Sequence, residues 1–287
     1  MKKGKIGDKI IILIMIIICI ITLYPVYYTI VLSFNDANDA MQGGIYLWPR
    51  QPSLENYRHV FKESEILRAF GITISRTLIG TVLSVLFTAL VAFAFSKKYI
   101  FANKFYLTVG TITMFFGGGL IPYFILLRNL GLYNNFLVYI IPSLFNFFNC
   151  IIFMTFFREM PASLEESAKL DGANDFVIFF LIILPLSMPI IATIGLFNGV
   201  WHWNDYFSGV IFIADRELQP IQTYLYRVIA QSSQTRSVVG QVAAAQNVST
   251  QSLRFATMVI TTAPIICIYP FLQRYFVKGI MIGAIKG

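Results

Sequence analysis

Residues Glu166-Ser167-Ala168-Lys169-Leu170-Asp171-Gly172-Ala173-Asn174-Asp175 run directly into Phe176-Val177-Ile178-Phe179-Phe180-Leu181-Ile182-Ile183-Leu184-Pro185. The first ten are charged and amphipathic. The next ten carry no charge and open a long apolar run, and a second charge-free run ends just upstream, near Phe157. A short polar helix between two such runs belongs at a membrane surface, where a partner can push on it.

The rest of the chain agrees. A helix needs about 20 apolar residues to cross roughly 30 Å of hydrocarbon. Six runs meet this: Ile10–Phe34, Thr73–Ser96, Phe105–Leu127, Phe136–Phe157, Phe176–Trp203 and Phe255–Gln273. Of 287 residues, 57% are hydrophobic and 13% charged, where soluble domains average about 25% charged. The expectation is an all-α membrane protein, a single domain over residues 1–287 with six transmembrane helices. Arg76, near the start of the second run, is expected to snorkel to the surface. Pro185 and Pro189 predict a kink in the fifth run.

The net charge of +8 could suggest nucleic acid. The basic residues instead cluster at the ends of apolar runs, as topology signals do. Cys19, Cys150 and Cys267 all lie inside apolar runs and form no Cys-x-x-Cys pair, which favours inert thiols. The two histidines, His59 and His202, are far apart, so no metal site is expected. Lys2, Lys3, Lys5 and Lys9 before an apolar run resemble a signal peptide. The run is charge-free from Ile10 to Leu32, longer than a signal core of roughly 7–15 residues, and no small-x-small cleavage site follows it. A retained first span is expected.

An even number of spans places both termini on one side. With the termini cytoplasmic, the inner segments hold Lys97, Lys98, Lys104, Arg158, Lys169, Arg274, Lys278 and Lys286 besides the N-terminal lysines. The outer segments hold Arg50, Arg58, Lys62, Arg68, Arg128, Arg216, Arg227 and Arg236. The bias favours termini inside. Two outer loops result, Asn35–Leu67 and Phe207–Leu253. The second is rich in Gln, Ser and Thr from Gln231 to Ser252, a composition that fits either a linker or a surface for an external partner.

The opening stretch then becomes a cytoplasmic helix between the fourth and fifth spans. Ser163 with Glu166 three residues on reads as a capping box. Pro161 blocks continuation from the fourth span. Gly172 can take positive φ and end the helix, and Asn174 can cap the next one. Leu164, Ser167, Ala168 and Asp171 fall on one face. On physical grounds this face fits an interfacial helix on lipid headgroups as well as a docking surface.

A resemblance separates the two. Glu166, Ser167, Ala168, Gly172, Ile182, Leu184 and Pro185 resemble, with the right spacing, the EAA motif of permease subunits from bacterial binding-protein-dependent ABC importers. Ser167 stands where Ala is usual, a small-for-small departure. The likeness extends over nearly the whole chain. Trp203-Asn204-Asp205 and the ending Gly279–Gly287 are similar to sugar-import permeases of the maltose-transporter G-subunit type. Phe115–Pro122 and Tyr269–Gly279 resemble the branch linked to complex oligosaccharide or polysaccharide uptake.

The resemblance implies a bacterial cytoplasmic-membrane protein whose EAA helix is a coupling helix, docked on an ATP-binding subunit. Glu166 would be the polar contact, Gly172 the turn into the fifth span, and Pro185 would shape that span. Implied partners are a second homologous permease, two ATP-binding subunits, an extracellular, lipid-anchored sugar-binding protein and membrane lipid. The chain has no Gly-x4-Gly-Lys-[Ser/Thr] loop to cradle phosphates. No cofactor is therefore expected on it, with ATP and Mg on the partner subunits. The tail Lys278–Gly287 could also touch the ATPase.

A sugar path needs aromatic faces and groups that bond hydroxyls. Candidates are Asn146 and Asn149, with Ser143 at the same spacing and Phe145, Phe147 and Phe148 beside them, and then Asn198, Trp201 and Asn204. Each has a plainer reading, as interhelical glue or aromatic belt. Gly117-Gly118-Gly119 with Pro122 predicts a break in the third run. The runs show no ionisable groups deep within them, which favours energy supplied from outside over ion coupling. Competing readings are an importer of another solute class, an intramembrane enzyme and a channel. No catalytic pair and no filter signature supports the last two, so a transport subunit rather than an enzyme is expected.

Overall fold

The computed structural model describes residues 6–97, 99–238 and 254–268. Among them the regular structure is helical, apart from one isolated antiparallel bridge between Asn35 and Pro52. The helices are α1 (Ile6–Ser33), α2 (Ala37–Met41), α3 (Glu55–Lys62), α4 (Ser64–Ser96), α5 (Asn103–Phe115), α6 (Leu120–Asn129), α7 (Phe147–Arg158), α8 (Ala162–Leu170), α9 (Asp175–Ile178), α10 (Leu184–Leu186), α11 (Met188–Asn204), α12 (Phe207–Phe212), α13 (Ile221–Val238) and α14 (Arg254–Ile268).

Among the described residues two helices, α1 and α4, are each long and apolar enough to cross a membrane alone. From Ile10 to Leu23 every side chain of α1 is exposed and none is charged, a surface that suits lipid rather than water. Three further runs are bent pairs. The axis turns by 115° between α5 and α6, by 46° between the 3-10 segment Phe136–Ser143 and α7, and by 83° between Asp175–Leu186 and α11. The described part of the sixth run is α14, shorter than a crossing needs. Tyr269–Gly287, with the tail and two of the family-like segments, lies outside the described residues.

Each bend has a local cause. Between α5 and α6, Phe116 is extended and Gly119 sits at φ 85°, a left-handed value that glycine adopts without strain. The fourth run is not the continuous helix its composition predicts. Pro142 sits in a 3-10 turn, and Asn146 leaves the helical path to cap α7, accepting from Asn149 N at 3.0 Å. In the fifth run a π-helical turn, Phe179–Ile183, precedes Pro185, and the axis breaks at Ser187 just before Pro189. Each proline removes an N–H from the ladder. The Ser187 backbone N–H and hydroxyl both bond Ile183 O, at 3.0 and 2.6 Å.

Two expected loops are more ordered than their composition suggests. Helix α4 begins at Ser64, well before the apolar run. Helix α13 continues through Gln231–Val238, so that part of the expected outer loop is helical; residues 239–253 lie outside the described set.

The described residues form two compact units. The first comprises those of Met1–Leu67 and Tyr224–Pro264. Its core joins Val31 and Leu32 of α1 to Ile45 and Phe255. Asn56 ties the segment down by donating to Ser33 O and Asn35 O. Asn35 donates to the Asp39 carboxylate and Arg50 pairs with it at 2.7 Å, which together hold the Asp39 pKa below its ordinary value. The second unit comprises those of Arg68–Thr223 and Ile265–Gly287. One of its cores gathers Val85, Ala89 and Phe93 of α4, Phe153 and Phe157 of α7, and Ala168, Ile178, Phe179 and Ile194. Another gathers Leu127, Val138, Tyr139 and Phe212. All the candidate site residues lie in this second unit.

Candidate functional site

Helix α8 is closed at both ends by its own sequence. Pro161 is the N-cap at φ −59°, ψ 126°, and Leu164 N bonds Pro161 O at 3.2 Å. Ser163 therefore lies inside the first turn, and the expected Ser163–Glu166 capping box does not form, because the helix starts two residues earlier than that reading assumed. The C-terminus matches expectation. Gly172, at φ 84°, donates to Lys169 O at 3.0 Å, and Ala173 N donates to Ala168 O at 2.9 Å. This is the Schellman arrangement, which satisfies the last carbonyls of a helix. Asn174 caps α9 through Val177 N at 2.9 Å.

The helix lies with one side down. Ala168 is buried in the core with Phe93 and Phe157, and Glu165 pairs with the buried Lys97 just past α4. Of the predicted face, Leu164, Ser167 and Asp171 stay exposed and only Ala168 turns inward. Glu166 is exposed, and Leu170 is 90% exposed. At the base of α9, Asp175 accepts from Tyr99 Oη at 3.0 Å and lies 3.6 Å from Lys169 Nζ. Ile182 and Leu184 pack partly buried against the same core, and Pro185 is exposed.

Elsewhere in this unit is a cavity of about 620 Å³. Its walls carry aromatic rings, among them Tyr123, Phe145, Phe148 and Trp201, and the polar side chains of Ser143, Asn146, Asn149, Asn198 and Ser208. The broken fourth run thus brings Asn146 and Asn149 to one site with Asn198 and Trp201 of α11. Asn198 Nδ2 is buried and has no hydrogen-bond partner. Asn204 is not part of the lining; its amide donates back to Val200 O at 2.9 Å. Rings flanked by amides and hydroxyls suit a ligand with apolar C–H faces and many hydroxyl groups.

Behind the cavity lies a charged pair that sequence reasoning missed. Arg76 does not snorkel. It is fully buried, bonds Asp205 Oδ2 at 2.6 Å and Asp205 O at 3.1 Å, and stacks 4.2 Å above the Tyr139 ring. Tyr139 and Ser208 both line the cavity, and Ser208 N donates to Asp205 Oδ1 at 3.1 Å. His202 is also buried, packed so tightly on α4 that a Cβ at Gly80 would fall 2.4 Å from its Nε2. Arg76, near the start of its run, and His202, near the end of its own, are ionisable groups buried in the protein close to run ends. The available signal was an Arg inside one run and an Asp at the end of another, a charge in an apolar segment with its partner to be found.

The chain is similar to several known transport proteins. A family model described as "Binding-protein-dependent transport system inner membrane component" matches residues 2–282. The chain is 34% identical to the polygalacturonan/rhamnogalacturonan transport system permease protein YtcP of Bacillus subtilis (strain 168), over 99% of this chain and 100% of that one. It is 36% identical to protein LplC of the same organism, over 100% of this chain and 97% of that one. A solved structure of a bacterial ABC transporter involved in import of the acidic polysaccharide alginate contains a chain of like fold. The TM-score is 0.86 at 29% identity, covering 96% of this chain and all of that one.

Proposed function

Because the chain belongs to the family of binding-protein-dependent transport system inner membrane components, we propose that it is a permease subunit of an ATP-driven importer. It moves an oligosaccharide or a polysaccharide-derived glycan across the bacterial cytoplasmic membrane by alternating access. The glycan class rests on the relatives named for polygalacturonan, rhamnogalacturonan and alginate, and on a cavity lined by aromatic rings and amides.

The observation that carries the coupling role is α8. It is short, capped by backbone bonds alone at Gly172, seated through Ala168 and Glu165, and outward-facing at Glu166 and Leu170. In this reading α8 sits on the cytoplasmic side with both termini and engages one of two ATP-binding subunits. A second homologous permease completes the translocation path, and an external, lipid-anchored binding protein delivers the sugar. ATP binding and hydrolysis take place on the partners. This chain supplies the docking helix and part of the cavity, where Asn146, Asn149 and Asn198 bond hydroxyls and Trp201 stacks on sugar rings.

Reconstitution tests this. The chain is purified with its partner subunits and placed in vesicles with external binding protein. Labelled galacturonate, arabinose and glucose oligosaccharides are then offered in turn. ATP-dependent accumulation of at least one of them is expected. Uptake independent of nucleotide, or a turnover reaction by the purified single chain, would overturn the reading.

A further inference from the structure

We propose that α4 carries movement of α8 to the cavity, fastened by Lys97–Glu165 just past its C-terminus and by Arg76–Asp205 in its first half. This rests on the reading of α8 as the ATPase-facing helix. Both ion pairs join α4, or the residue just past it, to another element, and both are largely buried: Arg76 and Lys97 are 0% and 7% exposed. At about 1.5 Å per helical residue the two anchor points stand roughly 30 Å apart.

Three features make α4 suited to this. First, it is unbroken from Ser64 to Ser96 and contains no proline, whereas the runs containing α5–α6, α7 and α11 all bend. A bend absorbs a push, while a straight helix passes it on. Second, its inner end is held by more than one bond. Lys97 Nζ lies 3.8 Å over the Phe93 ring, and Phe95 O accepts from Asn103 Nδ2 at 3.0 Å and from Arg158 at 3.1 Å. These donors occupy carbonyls that a helix C-terminus otherwise leaves open. Phe93 also shares a core with Ala168 of α8, so α8 cannot shift without repacking the end of α4.

Third, α4 touches the cavity wall through two routes, both starting at Arg76. Arg76 stacks on Tyr139, and its partner Asp205 holds Ser208 N at the start of α12; both Tyr139 and Ser208 face the cavity. A shift of α4 along its axis therefore changes both walls together. Lys97, Glu165, Arg76 and Asp205 are positioning residues here, since none of them lines the cavity.

The test uses the reconstituted, partner-containing transporter and reads glycan uptake per ATP hydrolysed. Lys97→Met is expected to assemble with its partners and to lower that ratio about tenfold, the size of a typical intersite coupling. The reversed pair, Lys97→Glu with Glu165→Lys, is expected to restore most of it. Lys97→Met combined with Asp205→Asn is expected to lose less than the product of the two single losses, because both interrupt one route. An unchanged ratio in Lys97→Met, or losses that multiply as if independent, overturns the proposal. If Lys97→Met fails to assemble, the reversed pair decides: an assembled but uncoupled reversed pair overturns it, and recovery supports it. Glu166→Arg separates the two readings. Uncoupling by Glu166→Arg with normal coupling in Lys97→Met sinks only this inference. Normal coupling in both sinks α8 as the docking helix.

Discussion

The surroundings of α8 and of the cavity satisfy their polar groups in opposite ways. At the ends of α8 the backbone closes on itself within a few residues, Gly172 N to Lys169 O, Ala173 N to Ala168 O and Val177 N to Asn174 Oδ1, while the side chains of Glu165 and Asp175 reach out to Lys97 and Tyr99. At and behind the cavity, a buried ion pair joins residues 129 positions apart, Arg76 and Asp205. Polar atoms are also left over there: Asn198 Nδ2, Arg76 Nε and both ring nitrogens of His202. A locally closed helix keeps its shape whatever presses on it. A region with buried, unpaired donors gains from anything that brings acceptors, whether water or the hydroxyls of a sugar. The first behaves as a rigid handle, the second as a site that binding can tighten.

The widest gap between them is expected from Arg76→Met. It leaves the Asp205 carboxylate buried without its partner, and breaking such a pair costs about 3–5 kcal/mol. Thermal unfolding of the protein in lipid nanodiscs reads this as a large drop in midpoint. Arg76→Met with Asp205→Leu is expected to recover most of the loss, since an apolar pair of similar volume is often neutral. A single variant that unfolds like the parent would break the comparison, because the cavity walls would then be held by something other than the long-range pair.

This contrast also explains what could be foreseen from residues alone. The turn at Gly172, the cap at Asn174, the kink near Pro185 and the break at Gly117–Gly119 are each decided by residues within one or two helical turns, so they were legible. The start of α8 was misplaced by two residues because Pro161 and Ser163 both make good helix starts, and the proline was used. Arg76 was misread because a long side chain near the end of a run can reach water. Only the fold shows that Asp205 and the Tyr139 ring are closer. Asn146 and Asn149 were found for the wrong reason: they meet the cavity because the fourth run breaks at Pro142, not because they share a helical face. The helical course of Gln231–Val238 was hidden by a polar composition that also suits a linker.

Smaller effects are expected at the handle. Gly172→Ala meets no atom within 4 Å of its new Cβ. Its penalty is therefore the left-handed backbone alone, about 1–2 kcal/mol. Asn174→Ala removes one cap and is expected to cost about 1 kcal/mol. Hydrogen exchange over residues 160–180 checks both: faster exchange confined to that segment is the expected result, with sugar affinity unchanged. Gly172→Pro also removes the N–H that bonds Lys169 O and is expected to abolish uptake while membrane insertion persists. Loosening that spread from α8 to the cavity segment Tyr139–Asn149 would show that the handle is not locally closed.

The smallest expected change in stability, and the most discriminating, is at Asn198. Its amide nitrogen is buried and bonds nothing in the protein, so Asn198→Ala gives up no intramolecular bond from that atom. Unfolding stability is expected to stay within about 0.5 kcal/mol of the parent. Asn198 lines a cavity whose other polar groups suit hydroxyls. Loss of one hydrogen bond to a sugar is worth about 1 kcal/mol, and the glycan concentration for half-maximal uptake is expected to rise by roughly five- to tenfold. A structural Asn gives the reverse pattern, a stability loss near 1 kcal/mol with half-saturation unchanged. That outcome would move Asn198 from the cavity's side of the comparison to the handle's, and would mean that the unpaired donor serves the fold rather than the cargo.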